Sequence, residues 1–418
     1  MTDLLTPGVV TSVKKQSLFN LASVAALFVS FFFFLPPLDT DLGWHLRYGQ
    51  YFWQAGHFLK QNSFTVLMPA YSWSNSYTLY QALSYVIFNI FGFVGLAFAS
   101  ALLFAAVFYF FYLLLEKKLY LSLFFFFLLS FFSWHIFYLG WRAQLFSFLG
   151  LEILLFLLIK GGKYLYFLPL LFFLWANLHG GFVLGIGLLI IYFVNFRVSP
   201  WRAPKTDSAG QRTILIFITS ALATLLNPYG IGVWWEAYHH LQMPMHSLIA
   251  EWVRPPPVLT FVIVASFLIS LFLLVRSKNS WRLFLGLVLT AFFYLALSAR
   301  RNTDLFMLIV IYTIFSCSKL KKWEKNINFR SFIKAGMIVV VVSALMRAPS
   351  TLAVNSWEKY SHPTRGSTQP YQAVEFIKTQ GIKGNFFNAY EWGGFLEWQL
   401  PDSKFFVDGR MPASGALW

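Results

Sequence analysis

Charge is scarce in this sequence. Only 11% of its 418 residues are Asp, Glu, Lys or Arg, while 58% are hydrophobic, and a water-soluble domain of that size could not cover itself with so few charges. Cysteine is scarcer still: Cys317 stands alone inside an apolar block, which excludes an intramolecular disulfide. No internal repeat is visible, against the duplicated architecture of many transporters. No small-x-small cleavage site follows the first apolar block. That block, roughly 18–35 behind Lys14 and Lys15, ends in Leu35-Pro36-Pro37-Leu38-Asp39, so an uncleaved transmembrane helix is expected rather than a signal peptide. The apolar–polar alternation of a β-barrel is missing too. Phe31–Phe34 and Phe124–Phe127 run unbroken, and the apolar blocks are long enough to cross ~30 Å of hydrocarbon as helices.

What is there is a series of such blocks. About eleven spans are expected, near 18–36, 93–115, 119–138, 143–159, 164–178, 181–196, 213–227, 258–275, 281–298, 303–318 and 333–347. The net charge of +16 does not point to nucleic acid, because most basic residues fall in short loops between the blocks. Lys117/Lys118, Lys160/Lys163, Arg197/Arg202/Lys205, Arg276/Lys278/Arg282 and the Lys319–Lys325 cluster all lie on one side, and the positive-inside rule makes that side cytoplasmic. The N-terminus is then inside and everything after Pro349 outside, in a cell membrane. This solution reads 76–91, bounded by Gly92, as an interfacial helix rather than a span. Residues 42–58 read as a second amphipathic helix in a structured outer loop, 38–92. The chain divides into a transmembrane domain, 1–348, and an extracytoplasmic tail, 349–418. Within the tail, Tyr371–Gln380 reads as helix, and Asn385–Asn388 and Lys404–Val407 as strands, the start of a small and incomplete α/β lobe. The fold class is an all-α polytopic membrane protein with that added segment.

With sidedness assigned, the costly polar residues gather outside. Asp39 and Asp41 follow the first span, then His45 and Arg47. Arg142 and Gln144 open the fourth span, and Asn177 and His179 lie in the turn between the fifth and sixth. Glu251 sits in a second outer loop, and Arg300 and Arg301 break the charge bias at the outer end of the ninth span. Polar groups at membrane depth suggest function. Each has a plainer reading: Asp39 and Asp41 as helix N-caps, His179 as a turn residue packed on Trp175, Arg300 and Arg301 snorkelling to headgroups. Glu152, inside a span, reads as a satisfied buried group, and His239-His240 lacks a third ligand for zinc. A carboxylate at the membrane surface can act as general base towards an acceptor, and arginines beside it can hold a phosphate bidentately. Together they describe a transferase using a lipid-linked donor.

The residues also carry a resemblance. Asp39-x-Asp41, Leu46-Arg47-Tyr48-Gly49-Gln50-Tyr51-Phe52, Leu79-Tyr80-Gln81-Ala82-Leu83 and Ile90-Phe91-Gly92 resemble the opening of GT-C membrane glycosyltransferases, such as protein O-mannosyltransferases and aminoarabinose transferases. The whole chain is similar to a group of bacterial GT-C-like membrane proteins. It matches them in Asp41-Leu-Gly-Trp-His-Leu-Arg, Arg142-Ala-Gln-Leu-Phe-Ser-Phe, Trp175-Ala-Asn-Leu-His-Gly-Gly, Leu226-Asn-Pro-Tyr-Gly, Glu251-Trp252, Ala299-Arg300, Tyr390-Glu-Trp-Gly-Gly and Val407-Asp-Gly-Arg. The resemblance implies glycosyl transfer from a polyprenyl-phosphate donor to an extracytoplasmic acceptor. Asp41 or Asp39 would serve as base or as ligand to a divalent cation (Mg or Mn), and the outer arginines would meet the donor phosphate. Leu-Gly-Trp-His follows the aspartates where the mannosyltransferases have Asp-Glu and a different sequence, which leaves the choice between Asp39 and Asp41 open. The other class compatible with the residues is a non-enzymatic membrane protein of the same fold, a lipid-linked-sugar transporter or an envelope assembly factor.

Overall fold

In the computed structural model the described residues are 25–32, 39–67, 71–198, 207–242, 251–352, 356–360 and 369–410. Among them the regular structure is helical apart from two short strands. Most of the predicted first span lies outside the described residues. Its stretch 25–32 is helical, and Phe31 stacks on Phe104 at 4.8 Å.

The first described loop after it begins with α1 (Leu42–Ala55). This helix stops where Gly56 takes φ 74° and returns its N–H to Phe52 O at 2.8 Å, a left-handed terminus that suits glycine. The amphipathic helix expected in the outer loop is largely buried over Leu42–Gly49, with Trp44, Leu46 and Tyr48 in the interior. Gly49 permits this, since a Cβ there would stand 2.2 Å from Gln81 O. The partner is the first limb of α2 (Thr78–Leu114), in which Gly92 has φ 60° and ψ −151°. That break separates 78–91 from the apolar limb that follows, where the sequence divides an interfacial helix from a span.

The bundle continues through α3 (Leu119–Phe132), α4 (Gln144–Lys160), α5 (Leu168–Leu178), α6 (Phe182–Val198), α7 (Asp207–Ala223), α8 (Gly232–Gln242), α9 (Pro257–Arg276), α10 (Arg282–Ser298), α11 (Thr303–Cys317) and α12 (Ile327–Leu352). Apart from α8 and the polar first turns of α7 and α12, these helices are apolar on most of their faces, as buried or lipid-facing helices are. In lipid their association rests on packing rather than on expulsion of water, and Phe104, Phe108 and Phe111 on α2 are wholly enclosed. Among the described residues three helices are long and apolar enough to cross a membrane: α2, α9 and the 327–349 part of α12. The helices over the other predicted spans are shorter, so the chain has the character of a membrane protein while the count of eleven crossings stays an expectation.

The tail supplies α13 (Tyr371–Thr379), β1 (Asn385–Phe386), α14 (Gly393–Gln399) and β2 (Lys404–Phe405). The strands pair in parallel, and Thr65 of the first outer loop adds a parallel bridge to Phe405. Val374, Phe395, Leu396, Leu400 and Phe405 form a separate small core. α14 lies against α1 so closely that a Cβ on Gly43 would meet Gly394 O at 2.0 Å.

Candidate functional site

Charged side chains of the described loops form two sets of contacts. In the first, the 116–121 turn meets the 319–330 segment. Lys321 pairs with Glu116, and Glu324 accepts from the backbone N–H groups of Tyr120 and Leu121 at 3.3 and 3.1 Å. In the second, Arg142 stands between two acids. Its Nη1 donates to Glu251 Oε1 at 2.8 Å, and its Nε lies 3.7 Å from Asp39 Oδ2. Residues from three distant segments thus form one buried charge cluster.

The two aspartates differ. Asp39 is enclosed, and its Oδ1 accepts the N–H of Asp41 at 3.3 Å. Burial pushes its carboxyl up to about 7 against the pull of Arg142. Asp41 is half-buried and stands at the N-cap position of α1, but its side chain caps no helix N–H. Its Oδ1 instead accepts from Trp44 Nε1 at 3.0 Å. Burial raises its carboxyl too, again opposed by Arg142. Asp39 is therefore engaged with a guanidinium, and Asp41 presents a carboxylate held by one indole.

Glu251 also fixes the arginines behind it. Its carbonyl accepts the N–H of Arg301 at 3.1 Å, and that of Val253 accepts the N–H of Arg300 at 2.9 Å. The guanidinium of Arg301 stacks over Trp252 at 4.5 Å. Its charge reaches His179, Tyr77 and His240, where it helps to hold both imidazoles neutral. Among the described residues Arg301 makes no ion pair, and no hydrogen bond or ion pair joins the Arg300 side chain to the cluster.

The Trp175–Gly181 stretch proves to be a hydrogen-bonded unit. Trp175 Nε1 donates to Ser147 Oγ at 2.7 Å, and that hydroxyl lies 2.6 Å from His179 Nδ1. Gly181 N–H also donates to Nδ1, at 3.1 Å, so the imidazole proton sits on Nε2. Burial, then Arg301 and Arg142, pull His179 down to about 3. A Cβ on Gly181 would meet Ser147 Oγ at 2.2 Å, the physical reason for glycine after that turn.

The remaining sequence candidates lie further back. Asn177 has its amide fully used, accepting from Thr78 Oγ1 at 3.0 Å and donating to the carbonyls of Phe173 and Leu226 at 2.8 and 3.0 Å. It is a bracket. His45 is enclosed between Trp44 and Tyr80, with Gln81 Nε2 3.5 Å from its Nδ1. Arg47 turns away from the aspartates, donating to Gln50 Oε1 at 2.7 Å and to Pro401 O of the tail at 3.2 Å. Gln144 Oε1 is buried without a partner among the described residues, as are both oxygens of Glu152. Glu152 was expected to be a satisfied polar group; no partner among the described residues satisfies it, because apolar helices enclose that level of α4.

Two further features lie beside the predicted site residues. Glu236 on α8 accepts from Tyr71 OH at 3.1 and 2.9 Å and lies 3.5 Å from His240. Burial pushes it up to about 7. The Asp408-Gly409-Arg410 turn of the tail reaches Asp41 itself, and only its motif, not its position, was visible. The aspartates are the residues that the resemblance assigns to a metal. Among the described residues no three His, Cys, Asp or Glu side chains gather as a ligand set. Mg²⁺ is commonly held by one or two carboxylates completed by substrate phosphate oxygens, and Asp41 fits as such a partial set. No family model matches this chain, and no curated protein is similar to it in sequence.

Proposed function

We propose that the chain is a membrane glycosyltransferase that moves a sugar from a polyprenyl-phosphate-linked donor to an extracytoplasmic acceptor, a cell-envelope glycan, lipid or protein. The supporting observation is one polar cluster, anchored by Arg142 and Glu251, in which Asp41 is held by a single indole donor and the guanidinium of Arg301 makes no ion pair among the described residues. In this reading Asp41 takes the proton of the acceptor hydroxyl as its oxygen attacks the anomeric carbon. The bond from that carbon to the phosphate oxygen breaks, and the electron pair leaves with the polyprenyl phosphate. Arg301 stabilises that charge, and neutral His179 offers Nε2–H beside it. Arg142 is already shared by Asp39 and Glu251, so it sets the local charge rather than binding donor. In place of the base role, Asp41 would serve to hold a divalent cation, Mg²⁺ or Mn²⁺, which would neutralise charge at the donor phosphate.

The site lies on the extracytoplasmic face of the cell membrane in this reading, with the N-terminus cytoplasmic and the tail outside. Cysteine labelling beside Lys117 tests the sidedness, since labelling from outside would invert it. Mass spectrometry of lipid-linked glycans and envelope glycoconjugates in a deletion strain tests the function. An unlabelled acceptor and an accumulated donor support it; an unchanged glycome would sink it. Complementation by Arg301→Gln is expected to fail and by Arg300→Gln to succeed. The carboxyl of Glu152, buried without a partner among the described residues, favours a transporter of the same fold instead.

A further inference from the structure

The tail turn that follows β2 comes up against the carboxylate on which the proposed chemistry depends. A Cβ on Gly409 would stand 1.8 Å from Asp41 Oδ1 and 3.1 Å from Trp44 Nε1, so only a residue without a side chain leaves room for that carboxylate. The turn is built to stay there. Asp408 Oδ1 accepts the N–H of Arg410 at 2.8 Å, closing the turn around Gly409. Tyr390 OH donates to Gly409 O at 3.2 Å, and Asn388 Nδ2 donates to Val407 O at 2.9 Å.

Arg410 is the bolt. Its guanidinium is buried, pairs with Asp408 and with Glu397 Oε1 at 3.2 Å, donates to Tyr48 OH, and lies over the rings of Tyr48 and Trp73 at 5.0 and 5.6 Å. Burial acts most strongly and raises the Asp408 carboxyl, but the charge of Arg410 together with the hydrogen bonds from Glu397 and Arg410 outweighs it and holds that group below the usual range. Tyr48 belongs to α1, the helix that begins at Leu42 directly after Asp41. The same helix therefore carries Asp41 at one end and receives the arginine four residues on from Trp44. Gly393 and Gly394 make the approach feasible. A Cβ on the first would meet Val407 O at 2.3 Å, and on the second Trp44 Cδ1 at 2.8 Å.

We propose that Gly409 and Arg410 are positioning residues for Asp41: the tail turn, bolted by Arg410 beneath α1, closes one face of the carboxylate and leaves the other to substrate. The proposal deepens the reading of Asp41 as the base, and it rests on that reading only for which reaction is slowed. Labelling with a water-soluble carbodiimide and glycine ethyl ester, read at Asp41 by mass spectrometry of the detergent-solubilised full chain, reports the position without turnover. Gly409→Ala and Arg410→Gln are expected to raise the labelling rate of Asp41 by roughly tenfold, as a populated open turn would. Arg410→Lys should restore part of the protection, because a point charge keeps one ion pair and loses the fork. Gly336→Ala, where nothing lies within 4 Å of the added carbon, is the control and should not change it. Tyr390→Phe removes one hydroxyl and gives a smaller rise, so a folded variant exists even where the others fail to fold. Unchanged labelling of Asp41 in folded Gly409→Ala and Tyr390→Phe proteins overturns the proposal. Changed labelling with an unaltered glycome in the deletion strain would instead overturn the transferase reading alone.

Discussion

The two polar ends of the bundle handle charge in opposite ways. At one, Lys321 and Glu116 pair with side chains 38% and 56% exposed; at the other, Arg142 and its partners Asp39 and Glu251 are 13%, 3% and 24% exposed. Water screens the first pair, which holds two loops together at little gain. The second cluster has given up its hydration, so each member depends on the others and removal of one leaves a buried charge uncompensated. Solvated charge sets which way a membrane protein faces; desolvated charge marks where its backbone has been arranged around a task.

Substitutions at the two ends should therefore differ sharply. The largest effect is expected at Asp41. Asp41→Asn keeps the hydrogen bond from Trp44 and removes the proton acceptor, so turnover should fall by a factor on the order of 10²–10⁴ while donor binding survives. A capping role would have left Asn equally good, and an active variant in a glycan-transfer assay would remove Asp41 from the chemistry. Arg142→Gln comes next. It strands Asp39 and Glu251 together, and a loss of about 3–5 kcal/mol in stability is expected, read as a lower melting temperature in detergent. If that variant melts like the parent, the cluster is looser than its geometry implies.

A pH effect follows at Glu236, between the two extremes. Burial pushes its carboxyl up to about 7 in the folded chain, against an ordinary value of 4.5. Below that ordinary value both states hold the proton; between the two values only the folded state does. Its contribution to stability is thus present at low pH and lost as pH rises through 7, on the order of 1–3 kcal/mol. Glu236→Gln should raise the melting temperature at pH 8 and leave it nearly unchanged at pH 5, and equal shifts at both would refute the assignment. The smallest effect belongs to the exposed end, where Lys321→Ala should cost less than about 1 kcal/mol and less still in high salt. A large loss there would erase the contrast between the ends.

Much of the helical framework was legible beforehand because its signals are local. Blocks of apolar residues, glycines at 56 and 92 and the run of basic loops each act within a few residues of where they stand. The cluster was half legible. Asp39, Asp41, Arg142, Glu251, His179 and Arg301 could be sorted to one side of the membrane, but their sorting did not say who touches whom. Arg47 and Arg142 look alike in sequence, and one faces the tail while the other faces the aspartates. Arg300 and Arg301 are neighbours, and only one stacks on Trp252. Glu236 was passed over because a lone acid three residues before two histidines carries no periodic signal. The burial of α1 has no local signal in part because one of its two partners, α14, lies more than 300 residues further along the chain.

Composition and local pattern by themselves determined that this chain is helical and has the character of a membrane protein, since hydropathy and helix breaking are properties of short segments. Only the tertiary structure decided that Asp39 is bound to Arg142 while Asp41 is held by Trp44, and that a glycine from the tail closes over it. Those outcomes depend on which desolvated groups come within a few ångströms of each other, and no spacing along the chain encodes such a distance.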